Sequence, residues 1–230
     1  MPETVRVQHL IVGGSAAGVA AVEAIRSFEA EVASREPHPT RGASSIAVVS
    51  EEAYPPYARH LISYYLTGER EGDLLSYRPA DFWAQNGVQA YPGYQVVSLD
   101  TGAREVRLRQ VARPRALPVG LPDDGPAGAT AGQAAGDAAG EAAEMVIGYE
   151  TLLLATGGYP IMPPLADPGA RAQGQLQVQG SGQKPAGKAD GSGSGGLVQQ
   201  GLAQGLSFFT TLDDAIRVRR AVARGARKAV

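Results

Sequence analysis

An α/β fold on a parallel sheet is what this sequence of 230 residues predicts. Three observations point there. Val7–Val12 (VQHLIV), Ser45–Ser50 (SIAVVS) and Thr151–Ala155 (TLLLA) are short apolar runs of the kind that form buried strands. Between the first two lies Ala16–Ala30, with Val19, Val22, Ile25 and Phe28 three residues apart, which is helical spacing. The first run closes on Gly13-Gly14 and the last on Thr156-Gly157-Gly158.

Strand, glycine turn, helix and strand in that order make a βαβ unit. Asp81–Gln85 predicts a short helix ending at Asn86-Gly87. Gln95–Leu99 and Glu105–Val111 predict two strands around a turn at Asp100-Thr101-Gly102. In the second, Val106 and Leu108 alternate with Glu105, Arg107 and Arg109, the pattern of a half-exposed antiparallel sheet. Thr211–Arg227 predicts a helix. Thr211 can cap it, Asp213 and Asp214 lie in its first turn, and arginines load its later turns, which suits the helix dipole.

Composition narrows the function. With 21 Lys+Arg against 23 Asp+Glu, the formal charge of −2 argues against nucleic acid as a partner. The absence of Cys excludes disulfides, thiolate metal centres and a redox dithiol within these 230 residues, and no metal site is expected. No run approaches the roughly 18 apolar residues of a membrane span, and no signal peptide is evident, so no membrane partner and a cytoplasmic location are expected. Of the 30 glycines, 17 lie in Ala112–Glu144 and Ala166–Gly205. Both segments are poor in large apolar side chains and read as flexible insertions in one domain spanning residues 1–230.

The hexapeptide Gly13-Gly14-Ser15-Ala16-Ala17-Gly18 ends a strand and opens a helix, the context a dinucleotide fingerprint requires. Gly13 allows the tight turn, and Gly18 allows close helix–strand packing. The first amides of the helix supply donors and partial positive charge for a phosphate. Ser15 stands where the fingerprint has its middle glycine, and its Cβ narrows the approach. The alternative is a glycine turn without a ligand. Glu51, directly after the strand Ser45–Ser50, is where an acid accepts the hydroxyls of an adenosine ribose. Its distance from the turn exceeds the roughly 20 residues usual. The polar loop Arg35–Ser44 accounts for the excess. The alternative is a solvated Glu51-Glu52 pair.

In chain order follow Tyr54-Pro55-Pro56-Tyr57-Ala58-Arg59, Leu61–Leu66, Leu153–Pro160 and Phe208-Phe209-Thr210-Thr211-Leu212-Asp213-Asp214. With the glycine turn and Glu51, this series resembles the FAD-binding domain of the FAD/NAD(P)-dependent pyridine nucleotide oxidoreductases. Within that family it looks like the flavin part of NADH-dependent assimilatory nitrite reductase large subunits and rubredoxin reductases. The resemblance implies a Rossmann-like ββα three-layer domain with a parallel sheet and an antiparallel β-meander. It implies that Gly13, Gly14, Ser15, Ala17 and Gly18 lie against the FAD pyrophosphate and that Glu51 holds the adenosine ribose. Arg59 would sit beside the flavin nucleotide, Val96 would meet the adenine through its backbone, and Ala155-Thr156-Gly157 would pass close to the cofactor. An ordinary surface arginine, a core valine and a strand-ending turn are the respective alternatives.

Two departures bear on chemistry. His60 and Tyr64 stand where many relatives have Pro and Lys. Ser63 cannot replace the thiol that disulfide-reducing relatives use near Leu61–Leu66. Electrons would then leave the flavin directly, toward an acceptor protein or domain, with no catalytic side chain identified. The resemblance also implies NAD(P)H as donor, bound by a second βαβ unit absent from this chain, so that the 230 residues are expected to be part of a longer protein. The leading expectation is an FAD-dependent NAD(P)H oxidoreductase. A non-catalytic dinucleotide-binding module is the main rival. A scaffold that uses its insertions as interaction tails is a third.

Overall fold

The computed structural model describes residues 4–35, 42–121, 144–158, 160 and 208–226. Six strands form one sheet: β1 (Thr4–Val12), β2 (Ile46–Ser50), β3 (Val88–Pro92), β4 (Tyr94–Asp100), β5 (Glu105–Gln110) and β6 (Glu144–Leu154). Their spatial order is β3-β2-β1-β6-β5-β4. β3, β2, β1 and β6 run parallel, whereas β6–β5 and β5–β4 are antiparallel. Among the described residues four α-helices accompany them: α1 (Ala16–Arg35), α2 (Ile62–Thr67), α3 (Phe82–Gln85) and α4 (Leu212–Ala223).

Strand alternation sends successive side chains to opposite faces, and each face of the parallel part has its own cover. Ile11, Ile46, Val48 and Val88 pack with Val19 and Val22 of α1 and Phe82 of α3. Leu10, Val12, Ala47 and Val49, on the other face, pack with Val106 and Leu108 of β5 and with Ile147 and Tyr149 of β6. The helix layer, the parallel strands and the folded-over antiparallel strands make the expected ββα arrangement. Val22 is fully buried, and burying such a side chain stabilises by about 1.5–3 kcal/mol.

β6 joins the two kinds of sheet. It runs beside β1 from Thr4↔Val146 to Val12↔Leu154. Its first half also pairs antiparallel with β5, from Glu105↔Gly148 to Arg109↔Glu144. The apolar run at Thr151–Ala155 is only its end. Glu144, expected to close the first flexible insertion, is instead a paired strand residue, and its carboxylate lies 3.3 Å from Arg107. Residues 112–121 were also expected to belong to that insertion. They are held in place: Arg115 N–H donates to the Ala53 carbonyl and Gly72 N–H to the Pro118 carbonyl, and Leu117 packs on the core. Residues 122–143 of that segment, and all of Ala166–Gly205, lie outside the described residues, as does the Arg227 end of the last helix.

β3 and α2 were not expected. VQAYP is a five-residue edge strand that ends at Pro92, where a missing N–H costs no ladder bond. Apolar runs that short carry little period information. α4 is shorter than expected. It ends at Ala223, with Arg224 as its C-cap and Gly225 following at φ +101°. Its start is as expected: the Thr211 hydroxyl accepts from Asp214 N–H, and the Asp214 carboxylate accepts from Thr211 N–H. A third apolar cluster forms around α4, with Tyr54, Tyr57, Ile62, Tyr65 and Leu75 against Leu212, Ala215 and Ile216.

Candidate functional site

At the C-terminal edge of the parallel strands, the chain leaves β1 through Gly13 and enters α1 at Ala16. Gly13 has φ +124°, and its N–H donates to the Val49 carbonyl. A Cβ there would lie 2.1 Å from the Ala155 carbonyl oxygen. Only glycine lets the turn and the end of β6 meet. Gly18 has the same kind of duty inside α1: a Cβ would lie 1.9 Å from the Gly13 carbonyl oxygen. Both glycines are therefore required by packing. Ser15, Ala16 and Ala17 stay partly or fully exposed at the start of a 20-residue helix that has no acid in its first turn. The N–H groups of such a first turn have no intrahelical acceptor, and the helix dipole adds positive potential there.

Ala155 N–H donates to the Val12 carbonyl, and Thr156, Gly157 and Gly158 then leave the sheet exposed beside the glycine turn. Gly14 lies against Ser50, the last residue of β2, whose Cβ is 3.0 Å from where a Gly14 Cβ would be. Glu51 follows, exposed, with Gln95 Nε2 3.5 Å from its carboxylate. Gln95 in turn accepts from Arg109. The first residues of β4 thus approach the strand-end acid, and Val96 beside them is half-buried against the apolar core. The donor set suits a dinucleotide: backbone N–H groups for a diphosphate, an acid for a ribose and exposed backbone opposite. Neither of two cavities, one of about 460 Å³ near Asp100 and Arg107 and one of about 540 Å³ near Arg26 and Gly87, includes a candidate residue. The candidate site is an open strand-end surface.

Arg59 is neither free nor a plain surface residue. It donates to the Glu52 carboxylate and, at 3.2 Å, to the Thr210 carbonyl. Glu52 also accepts from the Tyr57 hydroxyl, which itself accepts from Leu212 N–H at 2.9 Å. Burial pushes the Glu52 carboxyl above the usual carboxylate range. The Tyr57 hydrogen bond and the Arg59 charge oppose that shift, while Asp213 and Asp214 add to it. Burial also raises the Tyr57 and Tyr54 hydroxyls, helped by Glu52 and Asp213 respectively. Tyr54 donates to Asp213 at 2.8 Å, and Arg115 lies 3.6 Å from the same carboxylate. Sequence reasoning did not single out Glu52, Tyr57 or Arg115. Sequence position set Glu51, directly after the second strand, apart from Glu52 but gave Glu52 no role of its own; in the structure Glu51 is exposed and Glu52 partly buried. His60 is exposed, as is Tyr64.

The family model for pyridine nucleotide-disulphide oxidoreductases matches residues 7–188. The chain belongs to that family. Its members bind FAD and use NAD(P)H. A curated relative, the NADH-dependent phenylglyoxylate dehydrogenase subunit epsilon of Aromatoleum evansii, is 30% identical over 158 residues, 69% of this chain and 27% of its own length. The 5,5'-dehydrodivanillate O-demethylase ferredoxin reductase subunit of Sphingobium sp. is 32% identical over 91 residues, 39% of this chain and 19% of its own. Among solved structures, a NAD-dependent persulfide reductase from A. fulgidus aligns over 95% of this chain and 28% of its own, at 17% identity and TM-score 0.54, a likeness of fold. The chain thus spans about a quarter or less of the curated relatives it matches. Among the described residues, no helix is long and apolar enough to cross a membrane.

Proposed function

We propose that these residues hold the FAD of an NAD(P)H-dependent oxidoreductase whose reduced flavin passes electrons to an acceptor protein or domain, as nitrite reductases and rubredoxin reductases do. One observation carries the reading: the glycine turn abuts the Ala155–Thr156 backbone at the strand ends, beside Glu51. In this reading Gly14, Ser15 and Ala17 offer N–H groups and room to the diphosphate, with Gly13 and Gly18 fixing the turn. Glu51 accepts from the adenosine ribose, Val96 lies along the adenine, and Ala155-Thr156-Gly157 backs the nucleotide. FAD supplies the hydride and electron chemistry, and the protein supplies position and electrostatics.

The chain contains no cysteine, so within these residues no thiol stands between flavin and acceptor. The relatives include a ferredoxin reductase subunit, which favours an electron-transfer protein as acceptor. The chain spans about a quarter or less of the curated relatives it matches, and in this reading NAD(P)H binds a domain that these 230 residues do not include.

The test is binding, then reduction. The 230-residue chain is expected to bind FAD, and Glu51→Ala to weaken that binding by about 1.5–3 kcal/mol, the worth of hydrogen bonds to a charged group. A longer protein that includes these residues should be yellow and should bleach with NADH or NADPH under anaerobic conditions. FAD bound but never bleached would favour a non-catalytic dinucleotide module. No binding of FAD or ADP would overturn the reading.

A further inference from the structure

Glu52 stands at one corner of a closed ring of contacts. One carboxylate oxygen accepts from the Tyr57 hydroxyl, and the other accepts from Arg59. The Tyr57 hydroxyl accepts in turn from the buried Leu212 N–H, and Arg59 reaches the Thr210 carbonyl. The far side of the ring is therefore the backbone at the start of α4. That backbone is itself fixed, because the Asp214 carboxylate accepts from Thr210 N–H at 3.0 Å and from Thr211 N–H at 2.9 Å.

The ring leaves Arg59 gripped from two directions. A guanidinium has five N–H donors. Glu52 and Thr210 occupy two, on a side chain that is 43% exposed. A free arginine side chain carries about 2 kcal/mol of rotamer entropy, which is lost when it binds an anion. An arginine already held has lost much of it beforehand. Glu52 lies two residues beyond Ser50, and Ser50 packs against Gly14 of the glycine turn. The gripped cation thus stands at the strand end that carries the candidate phosphate donors.

We propose that Glu52 is a positioning residue that fixes the Arg59 guanidinium so that its remaining donors meet the diphosphate of the dinucleotide bound at the glycine turn. Glu52 touches Arg59 and not the ligand; Tyr57 holds Glu52, and the α4 cap holds Tyr57. The proposal rests on the dinucleotide reading above and adds to it a role for a residue that has no place in the glycine fingerprint. A carboxylate beside a cation can also do the opposite and compete with an incoming phosphate for it. The two roles differ in the sign of the coupling between Glu52 and Arg59.

A double-mutant cycle reads that sign. FAD and ADP binding to the 230-residue chain is measured by calorimetry for the unmodified protein, Arg59→Met, Glu52→Gln and the double variant. Arg59→Met is expected to weaken FAD binding about tenfold or more in the unmodified background, as loss of a charged hydrogen bond does. In the Glu52→Gln background the same change should cost less than about threefold, because an arginine without its anchor contributes little. An equal or larger cost there would make Glu52 a bystander or a competitor and overturn the proposal. Thermal unfolding of each variant reports folding. Should Glu52→Gln fail to fold, Tyr57→Phe takes its place in the cycle, since it removes the strut and keeps both charges. Absence of FAD and ADP binding by the unmodified chain would overturn the dinucleotide reading and this proposal together. Binding without the expected coupling would overturn this proposal alone.

Discussion

The glycine turn and the Glu52 ring lie at the same end of the sheet and are built in different ways. The turn is backbone against backbone: Gly13 touches Ala155, Gly18 touches Gly13, and no side chain could take either glycine's place. The ring is side chains against a helix cap, with Glu52, Tyr57 and Arg59 meeting residues 210–214. A site of the first kind tolerates no added atom. A site of the second kind tolerates change so long as each buried polar group keeps a partner.

The sharpest way to break this contrast is Gly13→Ala. The added methyl group meets the Ala155 carbonyl at φ +124°, so both strain and collision oppose it. A loss of about 3–5 kcal/mol is expected from that combination, measured by urea unfolding. Gly157→Ala is the control. At φ +73° with nothing within 4 Å, it should cost only about 1–2 kcal/mol. Equal costs would mean that the β1–β6 contact yields easily.

Tyr57→Phe probes the ring. It leaves the buried Leu212 N–H without its acceptor and removes one donor from Glu52. A destabilisation of about 1–3 kcal/mol is expected in thermal or urea unfolding. Tyr54→Phe removes the bond to Asp213, which keeps Arg115 nearby, and a longer 3.4 Å contact from Arg115, and should cost less.

The pH dependence of stability separates acids within the second kind of contact. Burial raises the Glu52 pKa above the usual 4.5, against the pull of Tyr57 and Arg59 and with the help of Asp213 and Asp214. Between 4.5 and the raised value the folded chain binds more protons than the unfolded one. The Glu52 contribution to stability therefore falls as pH rises through that window. Glu52→Gln should gain on the unmodified protein across it. Glu71 has the opposite sign. Its hydrogen bond from Arg219, then the Gly120 N–H, lowers its pKa, so its contribution is present above 4.5 and lost as pH falls through the lowered value. Unfolding midpoints of Glu52→Gln and Glu71→Gln across pH should therefore diverge from wild type in opposite directions near neutrality. Parallel profiles would show that the two acids are equivalent.

The smallest effect belongs to the meander. Asp100 Oδ1 accepts from Gly102 N–H and Ala103 N–H, both at 2.9 Å, in the exposed β4–β5 turn. Asp100→Ala should cost about 1 kcal/mol or less by thermal unfolding, because water replaces those bonds.

Much of the fold was legible because its signals are local. The apolar runs of β1 and β2, the three-residue spacing in α1 and the Thr211 cap each state their structure within a few residues. β6 was legible only at its apolar end. Its first half is stabilised by pairing with β1 on one side and β5 on the other, which an isolated reading of Glu144–Glu150 does not reveal. Residues 112–121 looked like the start of a Gly-rich loop, yet their partners Ala53, Tyr65, Glu71 and Gly72 lie at least 40 positions away.

The sequence by itself determined that a glycine turn would join a buried strand to a helix, since only residues without a Cβ fit such a turn and Val19 and Val22 bury the start of that helix, while Phe28, in the same spacing, is exposed. It also determined that an acid would follow the second strand. Only the tertiary structure decided which of two adjacent glutamates is exposed and which is gripped. It decided too that Arg59 is fixed by residues 52 and 210. The physical reason is that hydrogen bonds between distant side chains depend on burial and approach, which depend on how α4 docks on the loop after β2.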